Sequence, residues 1–340
     1  MKRVLVNGKG EIVVREVDPP ELQDKGILSK TAYSLISTGT ESRGIVGRRK
    51  NPNEDAAETP VGYTNSGTVI KVGAEVEAVQ TGDGVGCYGS KSGLGDHAEM
   101  CYIVRNLFVK LPDNVDLRQA AFTGLGGIAI QAVRRAGLSF GETAVVMGLG
   151  ILGQLIARIC SAAGYRVIAT DLLPSRLDIA RKAGITALDA SQDVISVVKD
   201  ATEGHGADAV LICVATDSPE PIAQALEMIR LSGRVVMVGC TGMEIERKAI
   251  FDKEADFVVS RAAGPGRYDV AYERDGQDMP YSYVRWTVGR NLYEFIRLLS
   301  EKRVCVDDLI THEFPVEQAA DAYEQALARP EETLGVLLKY

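Results

Sequence analysis

Residues 143–153 read Thr-Ala-Val-Val-Met-Gly-Leu-Gly-Ile-Leu-Gly, an apolar run that ends in glycines at 148, 150 and 153. An amphipathic stretch, ILGQLIARICSAAG, begins within the run of glycines. The spacing Gly-x-Gly-x-x-Gly between a strand-like run and a helix-like one predicts the phosphate turn of a dinucleotide-binding fold. The first glycine allows the tight turn, the second lets the backbone approach a pyrophosphate, and the third lets helix and strand pack closely. The helix N-terminus beyond them offers N–H donors and the positive end of the helix dipole. Gly148, Leu149, Gly150, Ile151, Leu152 and Gly153 are therefore predicted to hold the cofactor phosphates.

The next apolar run, RVIATD, ends at Asp171, 23 residues past Gly148. A carboxylate there accepts hydrogen bonds from the adenosine ribose and repels a 2′-phosphate, which favours NAD over NADP. Arg176, on the helix that follows, weakens this preference slightly, since it can approach a phosphate, stack on adenine or stay solvated. Further along, ADAVLICVA and RVVMVGC alternate with the helical stretches PSRLDIARKAG and PEPIAQALEMIRLSG. Near-continuous apolar strands separated by amphipathic helices predict a parallel sheet covered on both faces. Val214 and Ala215, and Gly239 to Thr241, fall at the strand ends where such a sheet opens its ligand crevice, so they are expected to line the nicotinamide half of the cleft.

Before residue 120 the pattern is different. Short extended segments separated by turns (KRVLVN, EIVVREV, GILSKTAYSLI, SGTVIKVG, DGVGCYG, EMCYIVRNLFVKL) predict a β-rich, partly closed domain. AAFTGLGGIAIQAVRRAG then takes helical spacing and ends at the stop signal Gly137. Past Gly264 come an aromatic, Arg-rich stretch, the helices NLYEFIRLLSEK and EQAADAYEQALA, and a last strand LGVLLKY. This tail is expected to rejoin the first domain. The reading is an α/β chain with a β-rich catalytic domain at 1–122 and 265–340 and a doubly wound, Rossmann-type parallel-sheet domain at 123–264.

The 340 residues exceed one ordinary domain, and 46% hydrophobic with 25% charged residues excludes a disordered or fibrous chain. A net charge of -8, from 38 Lys+Arg against 46 Asp+Glu, disfavours a nucleic-acid partner. The basic run Arg48-Arg49-Lys50 is read as a solvated loop. Cys87, Cys101, Cys160, Cys213, Cys240 and Cys305 are far apart, and the N-terminus MKRVLVNGKG lacks a secretory apolar region, so a cytoplasmic protein with reduced thiols is expected. Glycines, Gln154 and Arg158 break the longest apolar stretch, and no membrane role follows.

A glycine-rich β domain before a dinucleotide fold, with a returning tail, resembles the medium-chain dehydrogenase/reductase superfamily along essentially the whole chain. The motifs that carry the resemblance are Ser37-Thr38-Gly39-Thr40-Glu41, Gly62-Tyr63-Thr64-Asn65-Ser66-Gly67, Asp83-Gly84-Val85, His97-Ala98-Glu99, Leu111-Pro112-Asp113-Asn114 and the glycine turn. It implies a GroES-like fold for the β domain. In zinc-containing members a Cys stands where Thr38 is, a His where Tyr63 is, a Glu where Thr64 is, and a further ligand near Thr123 or Gly124. Here each carries a non-ligand, and Cys87 and Cys101 are too isolated for a four-Cys structural lobe. His205 lies in a glycine-rich turn of the nucleotide domain and His312 precedes a late strand, which leaves only His97 in the β domain. A zinc-independent member is expected. STGTE, GYTNSG and the long 261–291 segment further resemble the dehydrogenase half of bi-domain oxidoreductases of sugar and aminocyclitol pathways. That likeness implies a polyol or sugar-like substrate, with a separate partner oxidoreductase or none in place of the second half. The superfamily implies a homodimer or homotetramer through nucleotide-domain edges.

Without zinc, hydroxyls must polarise the substrate oxygen or remove its proton. Thr40 matches the family's proton-relay hydroxyl, and Tyr63 matches a lost metal ligand. To act as a base Tyr63 needs its pKa lowered, for instance by a nearby cation. Thr38, Glu41 and His97 complete the candidate set, with His97 open to a packed role and Glu41 to a supporting or solvated one. Arg43, Lys91 and Arg267 could offer positive charge to an anionic substrate. Tyr268, Tyr272, Tyr281, Tyr283 and Trp286 suit either a sugar face or a subunit interface. The leading expectation is an NAD-dependent dehydrogenase that interconverts a secondary alcohol and a ketone. A quinone or enone reductase using NADPH and a nucleotide-binding subunit with little activity are the alternatives.

Overall fold

The computed structural model describes residues 1–89 and 95–340. Its contacts divide the chain into two compact units, Met1–Gly127 with Ala263–Tyr340, and Ile128–Ala262. The strands, in chain order, are β1 (Lys2–Val6), β2 (Ile12–Glu16), β3 (Gly26–Leu35), β4 (Thr59–Pro60), β5 (Thr64–Val72), β6 (Gly84–Tyr88), β7 (Met100–Val104), β8 (Phe108–Lys110), β9 (Thr143–Met147), β10 (Arg166–Asp171), β11 (Thr186–Asp189), β12 (Ala207–Ile212), β13 (Ile229–Met237), β14 (Asp256–Val259), β15 (Ile310–Pro315) and β16 (Gly335–Lys339).

In the unit Ile128–Ala262, a six-stranded sheet runs in the order β11-β10-β9-β12-β13-β14, and every pair is parallel. Every residue of β9 is buried, as a strand covered on both faces requires. Val145, Ile168, Val210, Ile212 and Val235 pack with Ile222 and Leu226 of helix Glu220–Met228. From β9 the chain builds β10 and β11 on one side, then crosses back from β11 to place β12, β13 and β14 on the other. This is the reversal of strand order at which doubly wound sheets open a crevice.

One predicted helix is shorter than its sequence suggested. PEPIAQALEMIRLSG stops being helical at Met228, and Ile229 already belongs to β13, fully buried and in register with Ala207. Core burial of a β-branched side chain outweighs the helical spacing that continues through Arg230 and Leu231.

The unit Met1–Gly127 with Ala263–Tyr340 carries, among the described residues, a seven-stranded sheet in the order β15-β16-β3-β5-β6-β8, with β7 also paired to β3, and a three-stranded sheet β2-β1-β4. Val4, Val6, Ile36, Ile45, Tyr323, Val336 and Leu338 form a core cluster of this unit. The helix Thr123–Ala136 starts here, because Gly126 and Gly127 lie against Phe295 and Leu292 of helix Val288–Ser300. A Cβ on Gly126 would sit 2.1 Å from the Phe295 ring. The division between units therefore falls inside this helix rather than before it.

Helix Thr40–Lys50 has no counterpart in the sequence reading, since Glu41 and Ile45 are its buried residues and no apolar stripe marks it. Arg48, Arg49 and Lys50 form its last turn, which corrects the solvated loop predicted there. Arg48 donates to Asn7 O at 3.1 Å and to Thr59 Oγ1 at 2.7 Å, and Arg49 donates to Gly10 O at 3.1 Å. Cations in that position also suit the negative end of the helix dipole.

Candidate active site

In the nucleotide unit, the glycine turn is built as its spacing demands. Gly148 has φ +91°, and its N–H donates to Thr170 O at 2.7 Å, tying the turn to β10. A Cβ on Gly153 would stand 1.8 Å from Gly148 O, so only glycine lets the helix Ile151–Ala162 approach the turn this closely. Gly150 differs, because the nearest atom to a Cβ there is Arg176 Nη1 at 4.0 Å. Its open side is the room a phosphate group needs, and no side chain caps the helix that starts after it.

Asp171 is buried at the end of β10. Its Oδ2 accepts from Leu149 N at 2.6 Å, its Oδ1 accepts from Leu173 N at 2.9 Å, and Arg176 Nη1 lies 3.6 Å from Oδ2. The carboxylate thus anchors the glycine turn besides ending the strand, and Arg176 offsets part of its charge. Val214 and Gly239 join the same turn. The Val214 side chain would meet a Cβ on Gly148 at 2.7 Å, and Val214 O would meet a Cβ on Gly239 at 2.1 Å. Cys240 N donates to Val214 O at 3.0 Å and Ala215 bridges to Cys240, while Thr241 is buried beside them. Leu149 and Ile151 are buried and Leu152 half-buried. The residues present therefore fit a dinucleotide, with Gly150 and the helix N-terminus toward its phosphates and Asp171 with Arg176 toward its adenosine end.

In the other unit, the sequence candidates meet around one phenol. Tyr63 donates to Ser37 Oγ at 2.5 Å, and the nearby Thr40 hydroxyl favours the ionised form of the same phenol. Desolvation first, then the neighbouring Tyr88 and the Glu41 carboxylate, push the Tyr63 pKa well up from its ordinary value. The lowered pKa that a base requires is not present. Tyr63 is a neutral hydrogen-bond donor at ordinary pH.

Glu41 and His97 lie side by side in the interior. Glu41 Oε1 accepts from Ser37 N at 2.9 Å, and Glu41 Oε2 takes the hydroxyl of Tyr323 and lies 3.1 Å from His97 Nε2. His97 Nδ1 is 2.7 Å from Ser34 Oγ, which in turn is 3.1 Å from the Tyr340 hydroxyl. Both ring nitrogens are thus taken by protein partners, and the imidazole is fully buried. Gly62, at φ +92°, passes so close that a Cβ would be 2.5 Å from the ring. This favours the packed role for His97 over a free base. Thr38 is half-buried in the turn before helix Thr40–Lys50.

Ser34, Ser37, Tyr323 and Tyr340 were not among the predicted site residues. Ser37 was within reach as the first residue of STGTE, whereas Tyr323 reads as part of an apolar helical stripe. Arg43 is exposed, and Lys91 lies outside the described residues. Arg267, expected to offer charge to a substrate, is buried and paired with Glu273 at 2.8 Å. Of the aromatic tract, Tyr272 is buried with its hydroxyl on Thr287 Oγ1 (3.1 Å), Tyr281 and Tyr283 are exposed, and Arg285 stacks on Trp286.

Residues 152–273 match the zinc-binding dehydrogenase family. The D-arabitol-phosphate dehydrogenase of Enterococcus avium is 24% identical over 94% of this chain and 92% of its own. A sorbitol dehydrogenase of Ovis aries is 26% identical over the same shares, 94% and 92%. The crystal structure of 2R,3R-butanediol dehydrogenase from Bacillus subtilis superimposes with a TM-score of 0.80, at 21% identity, over 100% of this chain and 99% of that one. Over nearly its whole length the chain is thus similar to polyol dehydrogenases, and its fold is that of the butanediol dehydrogenase. It is an oxidoreductase of a pyridine-nucleotide-dependent group with polyol dehydrogenases among its relatives.

The family description names zinc, and the residues here do not fit that metal. Thr64 Oγ1 donates to Ala121 O at 2.7 Å and accepts from Gly124 N at 2.9 Å, and Thr123 Oγ1 donates to Ala120 O at 2.6 Å. Together with Tyr63 and Thr38 these are neutral oxygens, not the thiolates, imidazoles or carboxylates that bind zinc. Among the described residues no group of three or more His, Cys, Asp and Glu could hold a metal. Likewise, among the described residues no helix is long and apolar enough to cross a membrane.

Proposed function

We propose that this protein is a medium-chain dehydrogenase/reductase that interconverts a secondary alcohol and a ketone on a sugar, cyclitol or related polyhydroxylated metabolite, using NAD and no zinc. The observation that carries the reading is the meeting of Tyr63, which stands where the resemblance puts a metal ligand, with the Ser37 hydroxyl and with Thr40, which stands where it puts the proton-relay hydroxyl. Gly148–Gly153 and Asp171 would hold the nicotinamide coenzyme, which would supply the acceptor and donor of the carbinol hydride. The chain's own residues handle the oxygen. In the reducing direction Tyr63 turns its one O–H from Ser37 Oγ to the carbonyl oxygen as negative charge develops there. In the oxidising direction Thr40 and Tyr63 orient the hydroxyl, whose proton leaves along the hydroxyl chain through the exposed Thr40 to solvent water, the source that returns it in reduction. Glu41, His97 and Tyr323 hold that chain from behind.

Asp171 supports NAD over NADP, and the polyol dehydrogenases among the relatives support the substrate class. The same reading has the protein act as a cytoplasmic homodimer or homotetramer, with a separate partner oxidoreductase if its pathway needs one. Its test is coenzyme reduction, followed at the nicotinamide absorbance band, over polyols, glycosides, nucleotide sugars and cyclitols with NAD and NADP in parallel. NAD reduction by a member of the panel is expected. Silence with all of them, together with NADPH-dependent reduction of an enone, would replace this reading with that of a C=C reductase, a possibility favoured by Arg176 beside Asp171.

A further inference from the structure

The segment from Gly264 to Glu273 wraps a buried ion pair. The Arg267 and Glu273 side chains are 8% and 7% exposed, and Arg267 Nη1 lies 2.8 Å from Glu273 Oε1. Tyr268 N donates to that same oxygen at 3.1 Å, with Tyr268 in the left-handed region at φ +67°. Asp269 then caps the short helix Val270–Glu273 by accepting from Tyr272 N at 3.1 Å. A buried pair loses much hydration and is retained only where further bonds satisfy it. Arg267 has such bonds. Its Nη1 also donates to Gly89 O at 2.6 Å, and its guanidinium lies 4.4 Å from the centroid of the Tyr88 ring, within cation–π range.

Both contacts lead to Tyr63. Gly89 N–H donates to Tyr63 O at 2.7 Å, so the residue whose carbonyl Arg267 grips is the one whose N–H holds the Tyr63 backbone. The Tyr88 ring meets the Tyr63 ring edge to face, with centroids 5.8 Å apart and planes at 71°. One route runs through backbone hydrogen bonds and the other through stacked rings. Burial pushes the Tyr88 phenol up to about 12 against the opposing pull of the Arg267 charge, in keeping with a close cation.

We infer that Arg267 is a positioning residue: held by Glu273, its guanidinium clamps Gly89 and Tyr88 and thereby sets the Tyr63 phenol where it meets the substrate oxygen. The inference rests on the role proposed for Tyr63. It also gives the unusual 264–273 segment a task, which is to brace that phenol.

The test compares Arg267→Met, Arg267→Lys, Tyr63→Phe and the double variant Arg267→Met/Tyr63→Phe in the full chain. Arg267→Met is expected to lower kcat about tenfold with nucleotide Kd unchanged, since misplacing a reacting group costs rate. Arg267→Lys keeps the charge but not the planar fork and should recover part of the loss. In the Tyr63→Phe background the Arg267→Met loss should vanish, whereas an independent structural role would leave the two losses additive and overturn the inference. Solution NMR supplies a readout that needs no turnover. Faster amide exchange at Gly89 and shifted Tyr63 ring signals are expected in Arg267→Met, or in Arg267→Lys should the methionine variant not fold. Unchanged Gly89 exchange and unchanged Tyr63 signals in a folded variant would overturn the clamp. If Tyr63→Phe leaves turnover intact, the role proposed for Tyr63 fails, and the NMR comparison still decides whether Arg267 places it.

Discussion

Tyr63→Phe is expected to lower turnover about a hundredfold, the range typical of losing one positioned proton donor. Nucleotide affinity should not change, because Tyr63 and the glycine turn belong to separate compact units. The substitution keeps the ring that packs on Tyr88 and removes only the hydroxyl on Ser37 Oγ, so the fold should survive. Thr40→Val should move turnover in the same direction. With burial holding the Tyr63 phenol neutral, the remaining activity of Tyr63→Phe should keep the parent's pH profile, since no titrating base is lost. Stopped-flow measurement of the hydride step, with fluorescence titration of NADH for Kd, separates these effects. Unchanged turnover in both variants would remove the two hydroxyls from the chemistry.

The second large effect is expected in the glycine turn, where two neighbouring glycines should fail in different ways. Gly153→Ala forces a methyl group to 1.8 Å from Gly148 O, which nothing but a backbone shift can relieve. It should destabilise the nucleotide unit by about 1–3 kcal/mol or more, as overpacking does, and abolish nucleotide binding with it. Gly150→Ala meets nothing nearer than Arg176 at 4.0 Å, so Tm should hold. Its methyl group instead takes the room left for the pyrophosphate, and NADH affinity should fall at least tenfold. Thermal unfolding with and without NADH checks both. Equal affinity in Gly150→Ala and the parent would contradict the phosphate role assigned to this turn.

The nucleotide unit was legible because its signals are local. The run TAVVM, the glycine spacing and the carboxylate at Asp171 lie within 30 residues of one another, and each acts on its neighbours in the chain. The candidate active site was legible only in part. Tyr63, Thr40, Glu41 and His97 stood in recognisable motifs, but the partners that define their roles did not. Tyr323 bonds to Glu41 across 282 residues of sequence, and Ser34 meets His97 across 63. No periodicity carries such pairings. Arg267 misled for a related reason. A lone arginine in a polar, aromatic stretch reads as available charge, and only the fold shows it buried against Glu273. Helix Thr40–Lys50 stayed hidden because its buried face holds a glutamate where a stripe would be apolar.

The central claim is that hydroxyls, not a metal, handle the substrate oxygen. The most direct measurement is zinc content by mass spectrometry together with turnover before and after dialysis against a strong chelator. The account predicts zinc far below one per chain and turnover unchanged by the chelator. Close to one zinc per chain, with activity lost on chelation and restored by added zinc, would contradict it.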